Sequence, residues 1–395
     1  MTEASGVSTV KFSELEAADP LDALRLLPTS SPMERLAGKS RGCLAVPDAA
    51  FEEELERLRR SFSGVEDRDI PNASRLITQL HLLDSCNLRC AHCYVGDARF
   101  KPRPPLTLEE AKRRVDLLKA FQETRGFPQH TMNLSGGEPT THARLLDVVR
   151  HVVARDVKPL LLSNGLALTG QFAAKVRDAG CTQVQVSLEG TRRANDAIRG
   201  PGVYDAALRA VDALQHAGIV VVVGVTISRL NLGELPDLWT ALDGKVDRFH
   251  MREVTPIGAA TGFEPLNAPE RWALYRAIRR WDGETRLFLE DPPYCTCDPS
   301  LVERRAGCAA ATCLLCVDTD GTVFPCRKAP FALGTIDDLE AAWNHPAAAR
   351  MRQRSYDGPC GSCPVKGACG GCRGYAMAVT GNVLGSDDRC FLQTR

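Results

Sequence analysis

The sequence predicts an α/β protein: a parallel sheet with crossover helices, followed by a small domain held together by metal. Three observations lead there. From about Arg75, strand-like runs alternate with helical ones through six repeats, the signature of β/α units. From about Cys295 the composition shifts to Cys, Gly and Pro with few long periodic segments, as in a domain too small to rely on a core. Eleven of the sixteen cysteines lie between Cys295 and Cys390, and three more form one group at Cys86–Cys93. Six repeats are too few to close an eight-fold barrel, so a partly open barrel or a doubly wound sheet is implied. In either, the functional loops follow the C-terminal ends of the strands.

The elements follow in order. Residues 1–74 are irregular and form an N-terminal extension, with one candidate amphipathic helix in FEEELERLRRSF, Phe51–Phe62. The barrel unit, 75–267, opens on the strand RLITQLHLLD and the helix TLEEAKRRVDLLKAF, where Thr107 and Glu110 suit the two halves of a capping box. The next strands are HTMNLS, KPLLLS, TQVQVSLE, GIVVVVGVTIS and VDRFHMREVTP. Between them stand helical runs such as HARLLDVVRHVVAR, GQFAAKVRDAG and YDAALRAVDALQHAG. After Asn267, APERWALYRAIRRW opens a helical connector, 268–305, and the cysteine-rich domain takes 306–395.

Composition narrows the function. The 395 residues suit one large domain plus a smaller one, and 44% hydrophobic residues provide a core. Forty-nine basic residues balance forty-nine acidic ones, which gives no sign of nucleic acid or an anionic membrane as partner. The acidic, polar start lacks an apolar segment, and the longest apolar run, Ile219–Val225, is too short to span a bilayer. A soluble, cytoplasmic protein is expected. In that reducing setting so many cysteines point to metal or redox chemistry rather than to disulfides. Cys43 and Cys181 stand alone and read as small buried hydrophobes.

Cys86, Cys90 and Cys93 form CxxxCxxC directly after the first strand. Three thiolates on a centre that prefers four ligands leave one metal position open, as a reactive site requires. A zinc site completed by His92 or His81 is the competing reading. The motif resembles that of the radical S-adenosylmethionine (radical SAM) superfamily, with His92 at the position before the last cysteine that is usually aromatic. LSGGEPT, with Gly136, Gly137 and Glu138, resembles the family's GGE motif, and SNG, with Ser163 and Asn164, its T-N-G. QVSLEG resembles S-L-D-G, with Ser187 in place and Glu189 replacing Asp; NDAIRG, containing Arg199, and VTISRLN resemble the following segments. The resemblance covers about Ile77–Pro256. It implies a partial (β/α)6 TIM-like barrel and a four-iron four-sulfur cluster on the three cysteines. It further implies SAM bound through its amino group at Glu138 and its carboxylate at Arg199, with His92 near the adenine. Reductive cleavage of SAM would then yield a 5′-deoxyadenosyl radical that abstracts a substrate hydrogen.

Cys360, Cys363, Cys369 and Cys372 read C-x2-C-x5-C-x2-C, with Cys390 following after seventeen intervening residues; upstream, twelve residues separate Cys308 from Gly321, and CVDTDGTVFPC places a D-G hairpin turn ahead of Cys326. One zinc ribbon would use four thiolates and leave at least five others without a role. The spacing resembles the SPASM extension of radical SAM enzymes, with the last gap shortened as in a mycofactocin-type or haem-modifying branch. That resemblance implies two auxiliary clusters, three four-iron four-sulfur clusters in all. Cys360, Cys363, Cys369 and Cys390 would hold the outer one; Cys308, Cys326 and Cys372 the inner one, with Cys313 ahead of Cys316 as fourth ligand or the position open. Cys295 and Cys297 have no counterpart; ligands, redox-active thiols and structural residues are the open readings, with structural ahead.

The expected function is radical modification of a ribosomally made peptide or protein, supplied with electrons by a flavodoxin- or ferredoxin-type donor. The alternative is oxidation, epimerisation or side-chain removal on a small molecule, a sugar alcohol or tetrapyrrole; a zinc-dependent binding module is a third class. Arg252, Glu253 and Arg327 are the candidate polar groups for completing the reaction. A sulfatase-maturase role fits less well, because Arg327 follows Cys326 where those enzymes place an Asp base.

Overall fold

The computed structural model describes residues 74–96, 102–281, 283–292, 307–363, 366–367 and 369–390, with residues 9–11, 44–46, 49 and 53 nearer the N-terminus. Cys43, Cys295, Cys297 and all of the Phe51–Phe62 helix except residue 53 lie outside them. In the N-terminal extension, β1 (Thr9–Lys11) pairs in parallel with β2 (Leu44–Val46).

The six expected strands form: β3 (Arg75–His81), β4 (Gln129–Ser135), β5 (Lys158–Ser163), β6 (Gln183–Ser187), β7 (Val220–Ile227) and β8 (Arg248–Glu253). Each pairs in parallel with the next. A doubly wound sheet reverses strand order at a switch point; this order never reverses, so the barrel-like alternative is the one adopted. Two further parallel strands extend it, β9 (Arg286–Leu289) on β8 and β10 (Leu314–Val317) on β3. β11 (Thr322–Phe324) and β12 (Gly334–Thr335) then continue antiparallel, so β12 and β9 are the outermost of ten strands. The connector is therefore not wholly helical, and the cysteine-rich segment continues the barrel's own sheet. The D-G turn expected before Cys326 is present, with the Gly321 N–H donating to Asp318 O at 3.0 Å.

The helices are α1 (Leu108–Thr124), α2 (Leu145–Ala154), α3 (Gly170–Asp178), α4 (Arg192–Arg199), α5 (Val203–His216), α6 (Leu235–Leu242) and α7 (Ala268–Arg279). In the C-terminal part come α8 (Leu339–Asn344), α9 (Pro346–Arg352), α10 (Pro359–Ser362) and α11 (Arg373–Thr380). Thr107 caps α1 through the Glu110 N–H at 3.1 Å, but the Glu110 carboxylate turns to Arg113 at 2.8 Å and Arg114 at 2.6 Å. Only half of the expected capping box forms there, because charged donors one turn away outcompete a backbone N–H. At α7 the full box is present between Asn267 and Glu270.

The strands are rich in buried valine because both faces are covered, as parallel sheets require; Val221, Val222 and Val223 are fully buried. Trp239 of α6 packs on Phe249 of β8, with ring centroids 5.4 Å apart. Phe249→Ala should therefore cost about 3–5 kcal/mol, read as a lower urea midpoint at unchanged slope. His130 of β4 shares a 2.8 Å hydrogen bond with Thr78 Oγ1, and its Nδ1 is buried without a partner. Burial, with Lys119 adding, lowers its pKa from 6.5 to about 4. The unfolded chain thus binds this proton more readily, so stability should fall as pH drops from 6.5 towards 4. Urea titrations across that window should show a smaller fall in His130→Asn than in the wild type; an equal fall would remove His130 as a cause.

Candidate active site

The loop after β3 carries Cys86, Cys90 and Cys93, and its neighbours fix its backbone. Ala91 N donates to Ile198 O at 2.8 Å, Ala259 N to Cys93 O at 2.9 Å, Gly137 N to Leu83 O at 2.7 Å and Glu138 N to Ser85 O at 3.0 Å. The two glycines permit this approach. A Cβ on Gly137 would stand 1.9 Å from Ser85 O, and one on Gly136, which has φ +139°, would stand 2.2 Å from Leu83 O. The structure shows them first letting the β4 loop approach the cysteine loop, while both also line the cavity.

That cavity, about 340 Å³, sits at the C-terminal ends of the strands. The segments up to Arg199 contribute Cys86, Cys90, Cys93, His92, Gly136, Gly137, Glu138, Ser163, Asn164, Ser187 and Arg199 to its lining, called its first side below. The later segments contribute Cys308, Cys326, Cys372, Arg252, Glu253 and Arg327, called its far side. Residues drawn from nine sequence segments thus share one space. Cys313, Cys316, Cys360, Cys363, Cys369 and Cys390 are not among the lining residues.

On the first side, Glu138 is buried and takes only neutral donors. Its Oε1 accepts from Ser163 Oγ at 2.8 Å and Thr140 Oγ1 at 2.6 Å, and its Oε2 from Asn164 N at 2.8 Å. Burial outweighs these bonds and raises its pKa, so a cation placed beside it would be favoured. Asn164 Nδ2 in turn holds Asn87 of the cysteine loop at 2.7 Å. Arg199 is gripped by Glu189, its Nε donating to Oε1 at 2.9 Å, while its Nη1 reaches Cys90 Sγ at 3.8 Å. The same Glu189 oxygen meets His92 Nε2 at 2.8 Å, and its Oε2 accepts from Thr226 N at 2.7 Å. Burial alone would raise the Glu189 pKa, but Arg199 and His92 together hold it below its ordinary value. His92 Nδ1 is buried without a partner. The residue standing where Asp is commoner is thus the one that aims the arginine and the imidazole.

On the far side, Glu253 is held by Arg271 Nε at 2.6 Å and Arg389 Nη1 at 2.9 Å. Arg252 pairs with Glu290. Lys328, which the sequence reading missed, donates to Asp291 Oδ1 at 2.9 Å, and Cys372 Sγ lies 3.9 Å from that oxygen. Cys316 is in β10, with its thiol 3.9 Å from Gln79 Oε1. Also missed were Gln79, Asn133 and Gln185, which line the cavity from the middle of β3, β4 and β6. An amide inside an otherwise apolar parallel strand was the signal available for them, since such strands are buried on both faces.

None of the described cysteines is in a disulfide. Burial, with Glu138, Cys90 and Cys93 adding, pushes the Cys86 thiol up to about 11. Burial, with Asp291 adding, takes Cys372 to about 12. Thiols so placed are costly to ionise alone, and a metal centre that accepts them as thiolates relieves that cost. All-sulfur donors at a loop that wraps a compact space are the ligand type of iron–sulfur clusters. No three His, Cys, Asp or Glu side chains among the described residues are placed to hold a single metal ion. No helix among those residues is long and apolar enough to cross a membrane.

Comparison with known proteins agrees with this geometry. Residues 81–238 match the Radical SAM superfamily and residues 308–364 the SPASM iron-sulfur cluster-binding domain. An AdoMet-dependent heme synthase from Methanosarcina barkeri is 27% identical over 349 residues, covering 81% of this chain and 97% of that protein. The mycofactocin maturase MftC of Mycobacterium ulcerans is 29% identical over 330 residues, covering 78% and 85%. The crystal structure of Streptococcus suis SuiB bound to S-adenosylmethionine has the same fold, with a TM-score of 0.65 at 15% identity over 86% of this chain and 82% of that one. The chain carries a radical SAM domain followed by a C-terminal SPASM domain.

Proposed function

We propose that the chain cleaves SAM at the Cys86–Cys90–Cys93 side of the cavity and oxidatively modifies a peptide or protein substrate held against the far wall. One observation carries this: both sets of thiols open on the same 340 Å³ space. When bound, the reduced cluster and SAM supply a 5′-deoxyadenosyl radical able to remove a hydrogen atom from carbon.

The chain's own residues do the rest. Cys86, Cys90 and Cys93 supply three thiolates and leave one metal position for SAM. Glu138, steadied by Ser163 and Asn164, accepts from the SAM ammonium group. Arg199 and His92, both aimed by Glu189, face the carboxylate and the adenine, and Ser187 closes that side. Cys308, Cys326 and Cys372, with Cys313 as fourth ligand, hold an inner auxiliary cluster; Cys360, Cys363, Cys369 and Cys390 hold an outer one. Glu253 would have to give up two guanidinium partners to take a proton, so its role is to set the charge of the wall. The number of reduced thiols suits the cytoplasm, where a flavodoxin- or ferredoxin-type protein delivers the electron.

The peptide reading rests on the similarity to a mycofactocin maturase. A small-molecule reading, a tetrapyrrole in particular, is favoured by the heme synthase match, which spans 97% of that protein. The clusters can be tested first. Reconstituted protein should bind about twelve irons per chain for three four-iron clusters, and stoichiometric zinc without iron would sink the enzyme reading. With SAM and dithionite it should release 5′-deoxyadenosine. Cys86→Ala, Cys90→Ala or Cys93→Ala should abolish that release, whereas Cys372→Ala should retain it and lose only substrate turnover.

A further inference from the structure

Nearly every charged side chain lining the cavity has an ionic partner within the protein. Asp84 is paired with Arg103, Glu253 with Arg271 and Arg389, Asp291 with Lys328, and Arg252 with Glu290. Arg199 has Glu189. Two groups depart from this. Glu138 has neutral donors only, and the reading above gives it the SAM ammonium. The other is Arg327, whose ion pair with Asp318 is long and shared with Arg103 and His81.

Arg327 Nη1 lies 3.5 Å from Asp318 Oδ2, a distance too long for a good hydrogen bond. That oxygen already takes Arg103 Nη2 at 3.1 Å, and the other Asp318 oxygen faces His81 Nδ1 at 3.3 Å. Arg327 Nε is buried and has no partner. The guanidinium carbon is 5.5 Å from the centre of the Tyr94 ring and 5.6 Å from that of Phe324, so its plane is held by aromatic contacts rather than by hydrogen bonds. The side chain is only 14% exposed, and both it and Tyr94 line the cavity. A buried, oriented guanidinium with spare donors is costly unless an anion completes it. Its planar fork matches a carboxylate through two parallel hydrogen bonds.

We propose that Arg327 anchors a carboxylate of the substrate. This rests on the radical-enzyme reading for the assignment of the far wall to substrate rather than to SAM. Arg327 is then a binding residue and no proton acceptor, and it fixes which carbon faces the radical source. The carboxylate belongs either to a peptide, at its C-terminus or on a side chain, or to a small-molecule acid.

The test uses reconstituted holoenzyme saturated with SAM and the probe 3-phenylpropionate, compared with uncharged 3-phenylpropionamide by calorimetry. The acid should bind saturably and at least about tenfold tighter than the amide. Arg327→Gln should erase that difference without changing amide binding or iron content, and Arg327→Lys should restore part of it. Two competitor pairs separate the sources: a short peptide with a free or amidated C-terminus, and coproporphyrin or its methyl ester. In each pair only the acid should displace the probe if that source fits. Equal affinities for acid and amide in the wild type would overturn the proposal even if Arg327→Gln failed to fold. So would no saturable acid binding, or SAM affinity falling in Arg327→Gln with acid affinity unchanged. Absence of SAM cleavage in the wild type would instead strike the earlier reading and leave the acid–amide contrast standing.

Discussion

Parallel strands hold one another through slanted, evenly spaced main-chain bonds, and such pairing fixes register more than it adds stability. β10 lies on β3 in this way, with Leu314 opposite Ile77 and Val317 opposite Leu80. β3 ends in the loop of Cys86, Cys90 and Cys93, and β10 leads through one hairpin to Cys326 and Arg327. More than two hundred residues separate these strands in sequence. Their pairing is what brings both thiol-bearing loops to the same end of one sheet. A slip of one residue would turn Cys316 to the opposite face and carry the second loop away from the cavity.

Around that cavity the protein has buried an unusual amount of charge. Such pairs add little net stability, since desolvation offsets most of their attraction. Their effect here is to hold direction. Glu189 points Arg199 and His92 at the cysteine loop, and Glu253 binds one arginine from α7 and one from the C-terminal segment. Asp318, at the tip of the β10–β11 turn, meets His81 on β3 and Arg103 on the following loop. Each carboxylate therefore joins segments that the sequence keeps far apart, and each does so beside a wall of the cavity.

Much of this was legible in the chain itself. The cysteine spacings, the six strands and the short motifs at their ends announced themselves because each is local: a period of two residues, or a ligand spacing set by loop reach. What escaped was non-local or too short to carry a period. β9 has four residues, and β10 sits within a cysteine-rich run where hydrophobic alternation cannot be told from ligand spacing. Lys328 carries no local signal; only the fold sets it on Asp291, with Cys372 beside the same carboxylate. Arg199 sat in a motif, but its internal partner was legible only as a Glu where Asp is commoner. Glu110 shows the opposite error, a local rule overridden by two arginines one turn away.

Asp387 touches three cysteines through its own short stretch of chain. Its N–H donates to Cys360 Sγ at 3.4 Å, its carboxylate accepts from Cys372 N at 3.0 Å, and its carbonyl accepts from Cys390 N at 3.4 Å. Arg389 pins the same carboxylate from the other side at 3.1 Å. Burial would raise the Asp387 pKa, yet Arg389 and Arg271 hold it low, at about 2. Cysteines that the sequence spreads from 360 to 390 are thus tied to one aspartate. Such ties lower the chain entropy that ordering three cysteines round a shared centre would otherwise cost.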